Sequence, residues 1–225
     1  MTGARDVEKT AKVLGILVRE YRRLPPLRDL GLLDRLVLLL LSKDTPPARA
    51  RAALERLRED FVDWNEVRVS SPLEIQRSLE DFDEEEAAAK AQTVRTLLAR
   101  VFEKVHCLKL DRLLEEDRAA RERFLESLEI VEPWAAHVFL ASLDPEEAFL
   151  FHPNPARVLQ RVGVLPRTSS PTKALEGMRS LVRDEDPLTV QGVLVRHGEE
   201  VCGPRVFLCD RCRVLPLCKF GKGRR

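Results

Sequence analysis

Apolar positions recur every three to four residues along most of the chain, the spacing of an amphipathic helix. In VEKTAKVLGILVREYRRL, Val7, Leu14, Leu17, Val18 and Tyr21 mark one face, and LDRLVLLLLS and PARARAALERLREDF continue the pattern. These segments predict three helices. Pro25-Pro26 ends the first, Thr45-Pro46-Pro47 separates the second from the third, and Pro47 suits a first helical turn. Ser70-Ser71-Pro72 before LEIQRSLEDF predicts a capped short helix. DEEEAAAKAQTVRTLLARVFEKV predicts a long one whose first-turn acids complement the helix dipole. No segment alternates with period two for long enough to argue for a sheet; VQGVLVRHG comes nearest. The expected fold class is all-α.

A chain of 225 residues with 44% apolar and 33% charged residues can bury one large core or two smaller ones, and it lacks the composition of a disordered segment. The longest apolar run, Leu36 to Leu41, is far short of the roughly 20 residues that span a bilayer. The start MTGARDVEKTAK lacks a signal-peptide core, so a cytoplasmic location and no membrane partner are expected. Thiols are kept reduced there, which favours metal or cluster binding over disulfides.

Net charge is only +1, but its distribution is uneven. From Cys202 onward, Arg205, Arg211, Arg213, Lys219, Lys222, Arg224 and Arg225 face only Asp210, a balance of +6 that leaves −5 on the rest. This basic tail suits either phosphate contact or the offsetting of a negatively charged thiolate centre. The acidic run Asp81 to Glu86 reads as a solvated helix start.

The tail also holds four of the five cysteines. CGPRVFLCDRCRVLPLC places Cys202, Cys209, Cys212 and Cys218 with six, two and five residues between them. Four thiolates on one short loop can wrap a cubane, each ligating one iron. A structural zinc site with four cysteine ligands is the chemical competitor, although such sites usually use shorter gaps. Cys107, alone in KVHCLKL, reads as a small core residue.

This spacing, entered from LVRHGEEV, resembles the C-terminal cluster loop of endonuclease III and the adenine glycosylases, members of the helix-hairpin-helix DNA glycosylase family. LVLLLLS, ARARAALERL, DFVDWNEVRVSSPLEI and AAAKAQTVRTL follow in that family's order, so the likeness runs from about Val7 to Phe220. The resemblance implies a two-lobe fold. Residues 24–148 would form a six-helix domain with a helix-hairpin-helix, and residues 1–23 with 149–225 a domain holding a [4Fe-4S] cluster on the four cysteines. It also implies a monomer that binds double-stranded DNA, with Arg205, Arg211, Arg213 and Lys219 near the backbone.

The residues that would carry the chemistry depart from the family pattern. In LEIVEPWAAHVFLASL, Ile130 and Glu132 stand where the hairpin has glycines that let backbone N–H groups approach a phosphate. Ile130 would strain a left-handed turn, and Glu132 would repel the phosphate. Trp134 stands in place of the Schiff-base lysine, His152 in place of the catalytic aspartate, and Asp44 in place of the gap-filling glutamine. Neither Trp134 nor His152 can perform the family step. His137 is a candidate replacement base, and Asp144, Glu146 and Glu147 are candidate substitute acids. The expected function is a DNA-repair-type, DNA-binding protein that keeps the fold and cluster without glycosylase or lyase chemistry. The alternatives are an active glycosylase with non-standard residues, and an interaction subunit that binds a protein partner and not DNA.

Overall fold

The computed structural model describes residues 3–143, 149–168, 170–182 and 186–223. Its helices are α1 Ala4–Tyr21, α2 Leu32–Leu41, α3 Pro47–Asp60, α4 Trp64–Val69, α5 Pro72–Arg77, α6 Glu84–Val105, α7 Arg118–Ser127, α8 Pro133–Leu143, α9 Pro153–Val162, α10 Pro171–Leu181, α11 Pro187–Glu200 and the single turn α12 Lys219–Lys222. Short 3₁₀ turns connect some of them. Among the described residues there is no strand, only an isolated bridge between Cys202 and Phe207. No helix among them is long and apolar enough to cross a membrane.

The chain forms two compact units, Leu24–Leu143 and Met1–Arg23 with Asp144–Arg225. The anticipated boundary at 148 lies outside the described residues.

In the first unit α6 packs against α2, α4 and α5, and α2 also packs against α3 and α8. Helix α2 is apolar nearly all round, and Leu36, Val37, Leu38, Leu39 and Leu41 are fully buried. A helix of that composition belongs in the middle of a bundle. Local signals set the ends. Ser71 and Glu74 form a capping box at the start of α5, the Asp83 side chain accepts the Glu86 N–H at the start of α6, and α6 stops at His106 in the left-handed region. That stop turns Cys107 outward, so it is exposed rather than a core residue.

In the second unit α11 packs against α9 and α1. Val13, Leu14 and Leu17 of α1, Val158, Leu159 and Val162 of α9, Met178 of α10 and Val190, Val193 and Leu194 of α11 make the core. Residues Leu188 to Gly198 are all buried. VQGVLVRHG, the most strand-like stretch of the sequence, is therefore a fully surrounded helix, for which a near-continuous apolar run is expected. Gly163 ends α9 at φ 89°, and the chain then turns toward α10.

Candidate functional site

The last buried turn of α11 delivers the chain into the cysteine loop. The Cys202 N–H donates to the His197 carbonyl at 2.8 Å, and the Leu208 N–H returns to Val201 at 2.8 Å. Cys209 opens a 3₁₀ turn, and Cys218 caps α12 by accepting the Gly221 N–H at 3.4 Å. All four cysteines line one small cavity, with Val158, Val162, Val214 and Leu215 among its apolar walls. A Cβ on Gly221 would lie 3.8 Å from the sulfurs of both Cys209 and Cys218 and 2.5 Å from Leu215 Cδ1, so a side chain here would displace the leucine and touch both sulfurs.

Burial, with opposition from the other three thiolates, pushes Cys212 up to about 11, and burial with the negative charge of Cys218, Cys202 and Asp210 raises Cys209.

Arginines of α9 hold the loop in place. Arg157 donates to the Cys202 carbonyl at 2.9 Å and to the Gly198 carbonyl at 2.9 Å. Arg161 donates to the Cys202 sulfur at 3.2 Å and the Gly203 carbonyl at 2.8 Å, and its guanidinium lies 5.2 Å from the Phe207 ring and 4.7 Å from the Phe220 ring. Opposite, buried His197 has Nδ1 3.1 Å from the Tyr21 hydroxyl and Nε2 3.7 Å from the Cys212 sulfur. Desolvation lowers the His197 pKa to about 4, so its ring is neutral near pH 7. Sequence reasoning assigned no role to Arg157, Arg161, His197, Gly221 or Tyr21. Only the adjacency of His197-Gly198 to Cys202 hinted at one.

Arg205, Arg211, Arg213 and Lys219 are all exposed, with Arg213 3.7 Å from Glu20. Arg224 and Arg225 lie outside the described residues. Among the described residues no group of three or more His, Cys, Asp or Glu is gathered as one metal ion would require.

In the other unit, the turn between α7 and α8 holds Ile130 and Glu132. The residue in the left-handed region is Glu129, at φ 57°, and neither Ile130 nor Glu132 is among the non-glycine residues with positive φ. The strain anticipated at Ile130 is thus displaced by one residue, and the Ile130 N–H closes a tight turn onto the Leu128 carbonyl at 2.7 Å. Trp134 is 4% exposed, and its indole N–H donates to Glu132 Oε2 at 2.7 Å. The other oxygen of Glu132 accepts from Lys43. Asp44, next to Lys43, takes φ 57°. Buried Lys90 fixes this loop by donating to the carbonyls of Leu41 at 2.9 Å and Lys43 at 3.1 Å, and its desolvation lowers its pKa. The structure therefore brings together Glu132 and Trp134, with Lys43 as a third partner that sequence reasoning missed.

His137 is buried in α8. His152, in the unit with the cysteines, caps α9: its Nδ1 accepts the Asn154 N–H at 3.1 Å. Asp144, Glu146 and Glu147 lie outside the described residues.

No protein-family model matches the chain. Endonuclease III of Sulfolobus acidocaldarius is 27% identical over 111 residues, 49% of this chain, and the match spans about half (50%) of that relative's length. Two solved structures resemble it over nearly their whole length. One is a non-covalent endonuclease III–DNA complex, with a TM-score of 0.50 and 17% identity over 97% of each chain. The other is a thermostable thymine-DNA glycosylase, with a TM-score of 0.50 and 16% identity over 98% of this chain and 100% of that one. The chain thus has the all-α fold of the endonuclease III-like helix-hairpin-helix DNA glycosylases.

Proposed function

We propose that this protein is an endonuclease III-like, DNA-binding repair protein that carries a [4Fe-4S] cluster on Cys202, Cys209, Cys212 and Cys218 and has lost the family's glycosylase and lyase chemistry. The cluster reading is supported by four thiols on one apolar cavity with N–H donors aimed at sulfur, from Gly221 to Cys218 and from Arg161 to Cys202. A single tetrahedral zinc would need its sulfurs about 3.8 Å apart, from Zn–S bonds of roughly 2.3 Å. In a cubane each thiolate takes its own iron, so the four sulfurs sit further apart around the core. When bound, the cluster supplies a cross-link for the loop and a redox centre. Arg157 and Arg161 hold the backbone that carries Cys202, and Gly221 leaves room between two sulfurs.

The loss of chemistry is carried by one observation: Glu132 accepts from both Lys43 and Trp134. At positions where the family resemblance implies glycine and a nucleophilic lysine, this chain has a carboxylate and an indole that satisfy each other. An indole has no lone pair available to attack a sugar carbon. His152 uses a ring nitrogen to cap α9. What remains is phosphate contact by the exposed Arg205, Arg211, Arg213 and Lys219.

The test is a base-release and strand-nicking screen of iron-loaded protein against duplexes bearing different lesions, with borohydride trapping on abasic DNA. The wild type should release no base and form no trapped complex, whereas a Trp134→Lys, His152→Asp double variant should trap abasic DNA. Base release by the wild type would instead favour an active enzyme with non-standard residues.

A further inference from the structure

Tyr21 ends α1 and His197 closes the last buried turn of α11, 176 residues apart in sequence. His197 is 2% exposed and Tyr21 8% exposed. Their rings meet edge to face with centroids 5.9 Å apart, and the Arg196 guanidinium lies over the Tyr21 ring at 5.1 Å. Both imidazole nitrogens are engaged, Nδ1 by the Tyr21 hydroxyl at 3.1 Å and Nε2 by the Cys212 sulfur at 3.7 Å.

A buried neutral imidazole has one N–H and one lone pair, so the contacts admit two arrangements. In the first, Nδ1–H donates to the Tyr21 oxygen and Nε2 accepts from a Cys212 S–H. In the second, the Tyr21 O–H donates to Nδ1 and Nε2–H donates to sulfur. A thiolate bound to iron has no proton to give, so only the second satisfies every group once Cys212 is a ligand.

Resting on the cluster assignment above, we propose that Tyr21 and His197 form a hydrogen-bond relay that tunes the reduction potential of the centre through Cys212, with the Tyr21 hydroxyl donating to Nδ1 and so supporting the tautomer whose Nε2–H donates to sulfur. Both are positioning residues, since neither touches iron. A donor to a ligand sulfur stabilises the more negative, reduced cluster and so raises its potential. Val158, Val162 and Val214 line the same cavity, so this bond has an apolar surround on that side.

The experiment compares iron-loaded wild type, Tyr21→Phe, His197→Leu and His197→Gln. Iron and sulfide per chain, the potential by spectroelectrochemical titration, and the Fe–S(Cys) stretching bands by resonance Raman are measured on each. The relay predicts a lower potential and shifted Fe–S bands in His197→Leu, a smaller shift of the same sign in Tyr21→Phe, and recovery toward wild type in His197→Gln, whose amide can still donate. Tyr21→Phe removes only a hydroxyl and decides the matter if His197→Leu fails to fold. A fully loaded Tyr21→Phe with the wild-type potential and bands would overturn the relay. A wild type without iron and sulfide would overturn the cluster assignment instead.

Discussion

The indole N–H of Trp134 donates to the carboxylate of Glu132 at 2.7 Å, two residues before it on the entry turn of α8. Glu132 and Trp134 act as one unit, because each supplies one side of the same charge-assisted hydrogen bond. Glu132→Ala should cost about 1 to 3 kcal/mol, the range for a hydrogen bond to a charged group whose donor is then left partly buried. Lys43→Ala breaks a pair whose side chains are 46% and 40% exposed, and it should cost less than about 1 kcal/mol. Urea denaturation followed by tryptophan fluorescence measures both, and equal effects would show that the indole bond is not the stronger contact.

DNA affinity should depend on the exposed arginines of the cysteine loop. Arg205→Ala and Arg211→Ala should each weaken duplex binding across unrelated sequences and reduce the slope of log affinity against log salt by about 1. Fluorescence anisotropy over a salt series checks this. Absence of binding at low salt would leave the protein-partner reading as the better one.

Stability should fall in acid through His197. Burial lowers its pKa to about 4 from 6.5, so the native state favours the neutral ring and the unfolded chain takes up the proton first. The stabilisation is therefore fully present above pH 6.5 and is lost as pH falls toward 4, on the order of 3 kcal/mol in all. Denaturation midpoints measured at about pH 7, about pH 5.5 and about pH 4.5 should converge between wild type and His197→Gln as pH falls. Parallel curves would exclude His197 as the source.

The parts of this molecule legible in the sequence are those set by local chemistry. Pro47, the Ser71 and Glu74 box and the acids at the start of α6 fix helix starts within one turn. Long-range relationships were not legible. Nothing in the α1 sequence says that Tyr21 will meet His197, and Lys43 and Glu132 pair across 89 residues. Cys107 sits among apolar neighbours and suggested a core position, yet the left-handed His106 turns the chain outward. In α11, burial on every side hid the helical period that exposure on one face makes visible in α1.

The central claim is that four sulfurs of one loop hold an iron–sulfur cluster, and metal and sulfide analysis of anaerobically purified protein tests it most directly. The expected result is brown protein with about four irons and four sulfides per chain, and loss of colour and iron in Cys209→Ser. Colourless protein containing one zinc per chain, or no metal, would contradict it.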